Sequence, residues 1–241
     1  MIKSDLEKEY HITVSLSTIN RLRNALKFNG VRYRRVPYLT EKHKKQRLEY
    51  VLDCQGEDWE DIIFTDESMF EVENGRGIYY KHRESPPQKR PSKQYPPKVM
   101  VWGGIWLGGR TELHIVEGKV NSEEYCNILY EHFIENDQDE FKQILQDGAG
   151  VHISAATRSF VENFELEIRQ NPPHSPDLNP IEKVWGWMKG EQKKYEPRTR
   201  EALVKLLREL WNNMDQSILD AYIRHNTTVC QKIIEAHGGS I

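Results

Sequence analysis

The sequence is poor in cysteine and has no long apolar run. Its three cysteines, Cys54, Cys126 and Cys230, lie far apart in 241 residues and form no C-x-x-C pair. These cysteines indicate neither a disulfide framework nor a zinc site. The stretch "VMVWGGIWLGG" is broken by glycine and is shorter than the roughly 20 residues of a membrane helix. The start, "MIKSDLEKEY", lacks the features of a signal peptide. We therefore expect a protein of a reducing compartment, neither secreted nor membrane-bound.

Basic residues are concentrated in two segments, although the whole chain carries a net charge of −3. Residues 21–49 contain ten Lys and Arg against two Glu, and residues 76–98 contain seven against one. A run of charge is usually a solvated surface. Two basic segments on an otherwise acidic chain nevertheless favour nucleic acid as the partner.

The first thirty residues have the pattern of a helix, a turn and a second helix. Ser15 is a suitable N-cap, apolar residues recur at helical spacing at positions 19, 22 and 26, and Gly30 is a suitable stop. The polar face of this helix, continued by "VRYRRVPY", can contact phosphates and base edges. A small helical cap with a solvated basic face is the alternative. The predicted DNA contacts here are Ser17, Thr18, Asn20, Arg21, Arg23, Arg32, Arg34 and Arg35.

The remainder of the chain has the pattern of strands followed by alternating strands and helices. The first predicted strand, Ile62–Thr65, ends at Asp66 and is followed by a second strand. Further strands are predicted in "KVMVWGGIWL", "TELHIVEG", "FKQILQDG" and "ELEIR", and helices over residues 122–134, 154–163, 180–194, 199–213 and 216–236. This order predicts an α/β fold with a mixed sheet flanked by helices.

The composition predicts three regions along the chain. They are a partial helix-turn-helix over residues 1–33, a basic linker and helix over residues 34–58, and the α/β domain over residues 59–241. Within the last region, "RESPPQKRPSKQYPP" is too rich in proline for regular structure and is expected to form an exposed basic loop. The predicted DNA contacts in this loop are Lys89, Arg90 and Lys93.

Two predicted strands each deliver an aspartate at the carboxyl end, Asp66 after "IIFT" and Asp147 after "ILQ". In open α/β sheets this edge is where functional sites form. If the strands are neighbours, the two like charges are unfavourable together unless a divalent cation lies between them. A single strand-end aspartate is usually a turn or cap residue. That alternative stays open for Asp147, because a flexible "GAG" follows it.

Glu182, in "SPDLNPIEKVW", has two interpretations. With Asn179 as the N-cap and Pro180 at the first helical position, Glu182 takes the place of a capping-box glutamate. Alternatively, the prolines hold the first turn still so that Glu182 points across the sheet edge towards Asp66 and Asp147. Three carboxylates suit two Mg²⁺ or Mn²⁺ ions better than zinc. Two ions about 3.5–4 Å apart would activate an attacking hydroxyl and stabilise the leaving oxygen of a phosphodiester.

The motifs "FTDES.F", "VMVWGGI", "LQDGAGVH" and "SPDLNPIEKVW" resemble, in order and spacing, those of mariner-superfamily (Tc/mariner-like) DDE transposases. Thirty-four residues separate Asp147 from Glu182, as in one branch of that superfamily. The resemblance, over roughly residues 10–237, implies a ribonuclease H-like catalytic domain at 59–241. It also implies that Asp66, Asp147 and Glu182 are the catalytic residues and bind two Mg²⁺ or Mn²⁺ ions.

The same resemblance implies cleavage of double-stranded DNA at transposon ends and strand transfer into a target. The implied partners are the terminal inverted repeats, the target DNA and a second copy of the chain, in a homodimer on DNA. The basic loop at 76–98 corresponds to a clamp loop that contacts DNA and the partner subunit. His152 matches a family histidine, expected to contact the scissile phosphate or DNA, with a structural role as the alternative. The implied location is the nucleus in a eukaryote and otherwise the cytoplasm.

Two departures from the family pattern are visible. Family members usually carry two helix-turn-helix units, and this chain begins inside the second. Gly148 and Gly150 stand where the family commonly has Asn and often Pro, which is expected to loosen the turn after Asp147. These departures favour the alternative of a catalytically inactive, transposon-derived DNA-binding protein. A general ribonuclease H-like nuclease shares the carboxylates but does not predict "SPDLNPIE" or the basic helices.

Overall fold

A computed structural model describes residues 8–28, 36–72, 84, 94–135 and 143–241. The chain divides into two compact units, Met1–Pro37 and Tyr38–Ile241. The boundary crosses the segment that the sequence assigns to a linker and helix, and the helix of that segment belongs to the second unit.

The first unit contains helix α1, Leu16–Ala25, whose N-cap is Ser15 as predicted. The hydroxyl of Ser15 accepts a hydrogen bond from the backbone N–H of Thr18 at 3.1 Å. The helix ends before Gly30, because Lys27 already has a left-handed backbone with φ of 58°. None of the residues of α1 is buried. The predicted start of an earlier helix near Ser4 lies outside the described residues.

The second unit contains six strands in its described residues. They are β1 (Ile62–Glu71), β2 (Lys98–Trp106), β3 (Gly109–Arg110), β4 (His114–Val116), β5 (Gln143–Gln146) and β6 (Ile168–Gln170). The α-helices described in this unit are α2 (Glu41–Asp53), α3 (Ser122–Leu129), α4 (Ala155–Asn163), α5 (Ile181–Tyr195), α6 (Arg200–Asn213), α7 (Gln216–Arg224) and α8 (Asn226–Glu235). A π-helical turn, Tyr130–Ile134, continues α3, and a 3₁₀ turn, Pro176–Leu178, precedes α5.

The strands form one mixed sheet in the order β3-β2-β1-β5-β6, and β4 also pairs with β2. The pairing of β1 with β2 is antiparallel, whereas β1 with β5 and β5 with β6 are parallel. The predicted mixed sheet flanked by helices is therefore confirmed.

Strand β1 differs from the prediction, because it runs without a break through Asp66 to Glu71. Its parallel pairing with β5 stops at Phe64, which is opposite Leu145. Its antiparallel pairing with β2 continues, with Asp66 opposite Gly103. Asp66 therefore lies at the end of the parallel part of the strand and not at the end of the strand itself. A partner strand that is distant in sequence sets this extension, and local sequence does not report it.

Apolar side chains cover both faces of the sheet, because neighbouring strand residues point to opposite sides. Phe64 and Val101 contribute to one core with α5, α6, α7 and α8, and Ile63 and Trp102 contribute to a second core with α3. Gly103 lets helix α6 approach closely, since a Cβ there would lie 2.8 Å from the Trp211 ring.

The helix predicted over residues 216–236 is two helices, α7 and α8, interrupted at His225. Asn226, buried at the start of α8, donates its side-chain N–H to the carbonyl of Leu178 at 3.2 Å. Apolar periodicity continues through this junction, so the pattern alone does not reveal the break. No helix among the described residues is both long and apolar enough to span a membrane.

Candidate active site

A crevice of about 450 Å³ lies beside the carboxyl end of the parallel strands β1 and β5. Asp66, Asp147 and Glu182 line it, so the three carboxylates singled out in the sequence are brought together. The other lining residues are Gly148, Ala149, Asn171, Pro172, Pro173, His174, Ser175, Pro176 and Asn179.

The Asp66 carboxylate is largely shielded from solvent and lies close to other carboxylates. Trp185 Nε1 donates a hydrogen bond to Asp66 Oδ2 at 3.1 Å. Burial and the negative charges of Glu182, Glu67 and Asp147 together raise the pKa of Asp66 to about 8. Without a cation, this carboxyl group therefore favours its protonated form at neutral pH.

The Asp147 carboxylate has the opposite environment. Its Oδ1 lies 2.8 Å from Nδ1 of His152 and accepts a hydrogen bond from the backbone N–H of Ala149 at 2.9 Å. The bond to His152 lowers the pKa of Asp147, although partial burial acts in the other direction. Asp147 is thus held as a carboxylate in a defined orientation.

His152 is the buried partner that holds Asp147, with a side chain that is 3% exposed. Its ring packs against Tyr125 at a centroid distance of 4.3 Å, and Nε2 lies 3.3 Å from Glu67 Oε1. Burial lowers the pKa of His152, but the bonds to Asp147 and Glu67 outweigh this and raise it to about 10. The ring therefore carries a positive charge between two carboxylates. Sequence reasoning missed Glu67, whose only signal is a second acidic residue directly after Asp66 in a buried strand.

The first turn of α5 holds Glu182 without a capping box. The backbone N–H of Asn179, which a capping-box glutamate would bind, donates instead to the carbonyl of Pro176 at 3.2 Å. The side chain of Asn179 donates to the carbonyl of Thr65 at 3.0 Å and accepts from the N–H of Ile181 at 3.3 Å. The capping-box interpretation of Glu182 is therefore wrong, and its carboxylate is directed to the crevice. Glu182 is an exposed residue, but partial desolvation of its carboxylate raises its pKa, while Lys189 opposes this and Asp147 adds to it.

A buried arginine from α2 anchors the turn that precedes Glu182. Arg47, which is 1% exposed, donates through Nη1 and Nη2 to the two carboxylate oxygens of Asp177, both at 2.7 Å. Its Nε also donates to the carbonyl of Gly238 at 3.0 Å. The bidentate geometry fixes the position and the orientation of the Asp177 carboxylate. Through Arg47, the proline-rich turn is thus tied both to α2 and to the segment around Gly238.

The ligand atoms of Asp66, Asp147 and Glu182 do not all lie within 4.8 Å of one another, although all three residues line the crevice. Among the described residues, the set of three ligand atoms that all lie within 4.8 Å of one another is a different one, His114, Glu131 and His132.

The turn after Asp147 has room for larger residues, because a Cβ at Gly148 would meet only Gln170 Oε1, at 3.8 Å, and a Cβ at Gly150 would meet nothing within 4 Å.

The residues predicted to contact DNA are only partly described. Five of them belong to α1 in the first unit, where Ser17, Asn20 and Arg21 are exposed and Thr18 and Arg23 are half-buried. The other six lie outside the described residues: Arg32, Arg34, Arg35, Lys89, Arg90 and Lys93.

Comparison with known proteins identifies relatives over nearly the whole chain. The family described as "DDE superfamily endonuclease" matches residues 61–204. The Tc3 transposase of Caenorhabditis elegans is 28% identical, over 98% of this chain and 75% of that protein. The Tcb2 transposase of Caenorhabditis briggsae is 23% identical, over 94% of this chain and 88% of that protein.

Solved structures share the fold. The pre-cleavage Mos1 transpososome superposes with a TM-score of 0.85 at 19% identity, over 100% of this chain and 75% of that chain. The catalytic domain of Mos1 mariner transposase superposes with a TM-score of 0.68 at 16% identity, over 86% of this chain and 100% of that domain. The expected ribonuclease H-like fold is thus confirmed.

Proposed function

The chain belongs to the DDE superfamily endonuclease family, as its motifs predicted, and we propose that it is a mariner-superfamily DNA transposase. It cleaves DNA at transposon ends and transfers the freed strand into a target, using divalent metal ions. The observation that carries this proposal is the convergence of Asp66, Asp147 and Glu182 on one crevice from three separate segments of the chain. The similarity to named transposases over nearly the whole chain supports it.

Asp66, Asp147 and Glu182 are the residues that would hold Mg²⁺ or Mn²⁺. Carboxylate oxygens are the ligands that these ions prefer, and the raised pKa of Asp66 marks a site where a cation would relieve repulsion. Two such ions about 3.5–4 Å apart would suit the in-line displacement of a phosphodiester. When bound, such ions would supply activation of the attacking hydroxyl and stabilisation of the leaving oxygen.

The surrounding residues orient these carboxylates before DNA arrives. The indole of Trp185 holds Asp66, and the charged ring of His152 holds Asp147. Asn179 ties the first turn of α5 to β1 through the carbonyl of Thr65. Groups fixed in this way lose little freedom when the reaction begins, which lowers the barrier. In this proposal His152 is a positioning residue, and Glu67 sets the orientation of its ring.

The partner of this protein is double-stranded DNA, namely the terminal inverted repeats of a transposon and the target. Similar solved structures are described as Mos1 paired-end and strand transfer complexes, which supports a homodimer on DNA. The exposed polar residues of α1 and the basic residues of the segments at 21–49 and 76–98, apart from buried Arg47, supply the phosphate contacts. DNA affinity should therefore fall steeply as salt rises. Action on chromosomal DNA places the protein in the nucleus if its host is a eukaryote.

Cleavage of a duplex that carries the element's own end and flanking DNA tests the proposal. Wild type, Asp147→Asn and the control Asp53→Asn, at an exposed position on α2, are compared in Mg²⁺ and in Mn²⁺. We expect wild type and the control to cut and Asp147→Asn to bind DNA without cutting. Salt-sensitive binding with no cutting by wild type would instead identify an inactive, DNA-binding descendant of a transposase. Equal cutting by Asp147→Asn and wild type would overturn the assignment of the crevice.

A further inference from the structure

A second cluster of metal-ligating side chains lies on β4 and on the π-helical turn after α3. His114 comes from β4, and Glu131 and His132 come from the turn. One ligand atom from each lies within 4.8 Å of the other two. None of these residues lines the crevice of the three carboxylates. The proposed transposase chemistry therefore leaves this cluster without a role.

The two imidazoles are held in place by aromatic packing. The ring of His132 packs on Trp102 at a centroid distance of 4.9 Å, and His114 meets His132 edge to face at 5.6 Å. Trp102 is also the residue of β2 that pairs with His114 in the sheet. The relative position of the rings is thus set by the fold.

His132 has an unused ring nitrogen in a buried position. The residue is 8% exposed, and its Nε2 has no hydrogen-bond partner within the part of the chain that the structure describes. Buried polar atoms are nearly always paired in folded proteins, and an exception calls for an explanation such as an unseen ion. The backbone supports the same explanation. The turn is closed by a bond from Glu135 N–H to the carbonyl of Tyr130 at 2.9 Å, and π turns of this kind occur frequently at functional sites.

His114 has a carboxylate next to each ring nitrogen. Nδ1 lies 3.4 Å from Glu131 Oε2, and Nε2 lies 3.8 Å from Glu124 Oε1. If Nδ1 binds a metal ion beside Glu131, Glu124 can accept the proton of Nε2. This carboxylate–histidine–metal arrangement is the usual surrounding of a metal-binding histidine. Glu131 is half exposed, which leaves a path from solvent.

The ligand types of this cluster favour a different class of metal ion from the class that the crevice favours. Two imidazoles and one carboxylate suit Zn²⁺ and similar transition metals, whereas oxygen ligands alone suit Mg²⁺ and Mn²⁺. Ligands around a tetrahedral Zn²⁺ lie about 3.3–3.5 Å apart, and Nδ1 of His114 already lies 3.4 Å from Glu131 Oε2. We propose that His114, Glu131 and His132 bind one Zn²⁺ ion. The ion ties the edge strand β4 to the end of α3 and leaves a fourth position for water.

Metal binding by the full chain, with the crevice disabled, tests this site. The background variant Asp66→Asn/Asp147→Asn is stripped of metal with a chelator and titrated with Zn²⁺ alone by calorimetry. A parallel titration with Co²⁺ reports tetrahedral nitrogen and oxygen ligands through its visible absorption. His114→Gln and Glu131→Gln are added separately to this background. Glu123→Gln, at an exposed position of α3 outside the cluster, is the matched control.

We expect one equivalent of Zn²⁺ to bind the background protein and to raise its midpoint of thermal unfolding. Both ligand variants should weaken Zn²⁺ binding at least tenfold, while Glu123→Gln should leave it unchanged. These two changes affect residues that retain solvent contact, so the variants are expected to fold, unlike a change at buried His132. Absence of Zn²⁺ binding in the background protein would overturn the proposal. Binding that survives His114→Gln and Glu131→Gln undiminished would also overturn it and would direct attention to Cys54 and Cys230.

Discussion

Asp66 lies on β1 and Asp147 directly follows the neighbouring strand β5, yet their surroundings favour opposite charge states. Asp66 faces other carboxylates and the indole of Trp185, and its pKa is raised to about 8. Asp147 lies against the charged ring of His152, and its pKa is lowered. Equivalent positions in a sheet therefore do not produce equivalent acids, since neighbouring side chains decide the charge.

The two aspartates therefore differ in how their charge is balanced. Asp147 has a cationic partner in His152, which orients it and favours its charged form even without a metal ion. The Asp66 side carries repulsion that a divalent ion would relieve. Functional sites often keep such locally unfavourable charge, at a cost in stability. Substitutions of Asp66 and Asp147 should therefore have different effects on the stability of the fold, even where they reduce cleavage equally.

The largest effects are expected from Asp66→Asn and Asp147→Asn, which should each lower the cleavage rate about 10³-fold or more. Each removes one carboxylate of the proposed metal site, and metal ions contribute several kcal/mol to stabilising a transition state. A single-turnover cleavage assay in saturating Mg²⁺ measures this. Retention of wild-type cleavage by either variant would contradict the shared role of the two aspartates.

The same pair should shift the stability of metal-free protein in opposite directions. The folded pKa of Asp66 is above its unfolded value, so its contribution to stability is lost as pH rises from about 4 to about 8. Asp66→Asn should thus raise the unfolding midpoint at pH 8 by several degrees and flatten its pH dependence. Asp147→Asn should lower the midpoint by a few degrees, because buried His152 loses a counter-charge. Thermal unfolding of both variants in the presence of a chelator measures these shifts. Midpoints that shift in the same direction in both variants would contradict the proposed difference between the two aspartates.

Glu182→Gln should lose cleavage while its stability stays close to that of wild type. The capping bond that such a glutamate would make is already supplied by the carbonyl of Pro176, so glutamine disturbs no hydrogen bond of the turn. The unfolding midpoint should stay within about 2 °C, since surface changes rarely exceed 0.5 kcal/mol. Glu162→Gln, at an exposed position of α4, is the control for both readouts. Residual cleavage combined with a large loss of stability would return Glu182 to a structural role.

His152→Asn should reduce cleavage about 10–100-fold, the usual cost of losing a residue that orients a metal ligand. Asparagine can still donate to Asp147 but carries no charge. If His152 positions Asp147, the Mg²⁺ concentration for half-maximal cleavage should rise, and excess Mg²⁺ should recover part of the rate. An unchanged Mg²⁺ dependence with weaker DNA binding would instead identify a contact with DNA. Glu67→Gln, which keeps a partner at Nε2, should give a smaller loss in the same direction.

The smallest effect is expected from Gly148→Asn. An added Cβ meets only Gln170 Oε1, at 3.8 Å, and the backbone there does not have a positive φ, so the fold should accept the change. We expect the unfolding midpoint to move by less than about 2 °C and cleavage to be retained. A loss of both would show that this glycine is required by the turn after Asp147.

Much of the fold could be predicted from the sequence because local patterns were strong. Apolar periodicity located α5 and α6 to within a residue or two, and an alternation of strands and helices predicted the mixed sheet. The three carboxylates could be found from local patterns at the sheet edge. Asp147 directly follows β5, Glu182 lies in the first turn of α5, and Asp66 lies just after the parallel part of β1. The capping box was a wrong inference, since a 3₁₀ turn at Pro176 supplies the bond that a cap would make.

The features that sequence reasoning missed all depend on contacts between distant parts of the chain. The extension of β1 through Asp66 depends on β2, and the break between α7 and α8 accompanies the bond from Asn226 to Leu178. Arg47 looked like one more charge in a basic segment, but it is buried against Asp177. Glu67 looked like an ordinary strand residue, but it contacts His152 from 85 positions away.

By itself, the sequence determined the order of the elements and the identity of the three carboxylates, because periodicity, turn chemistry and residue type are local properties. Tertiary structure alone decided which carboxylate is charged, what orients each one, and that His114, Glu131 and His132 meet at a second site. Burial and electrostatic interaction act through space, between groups that the linear chain keeps far apart.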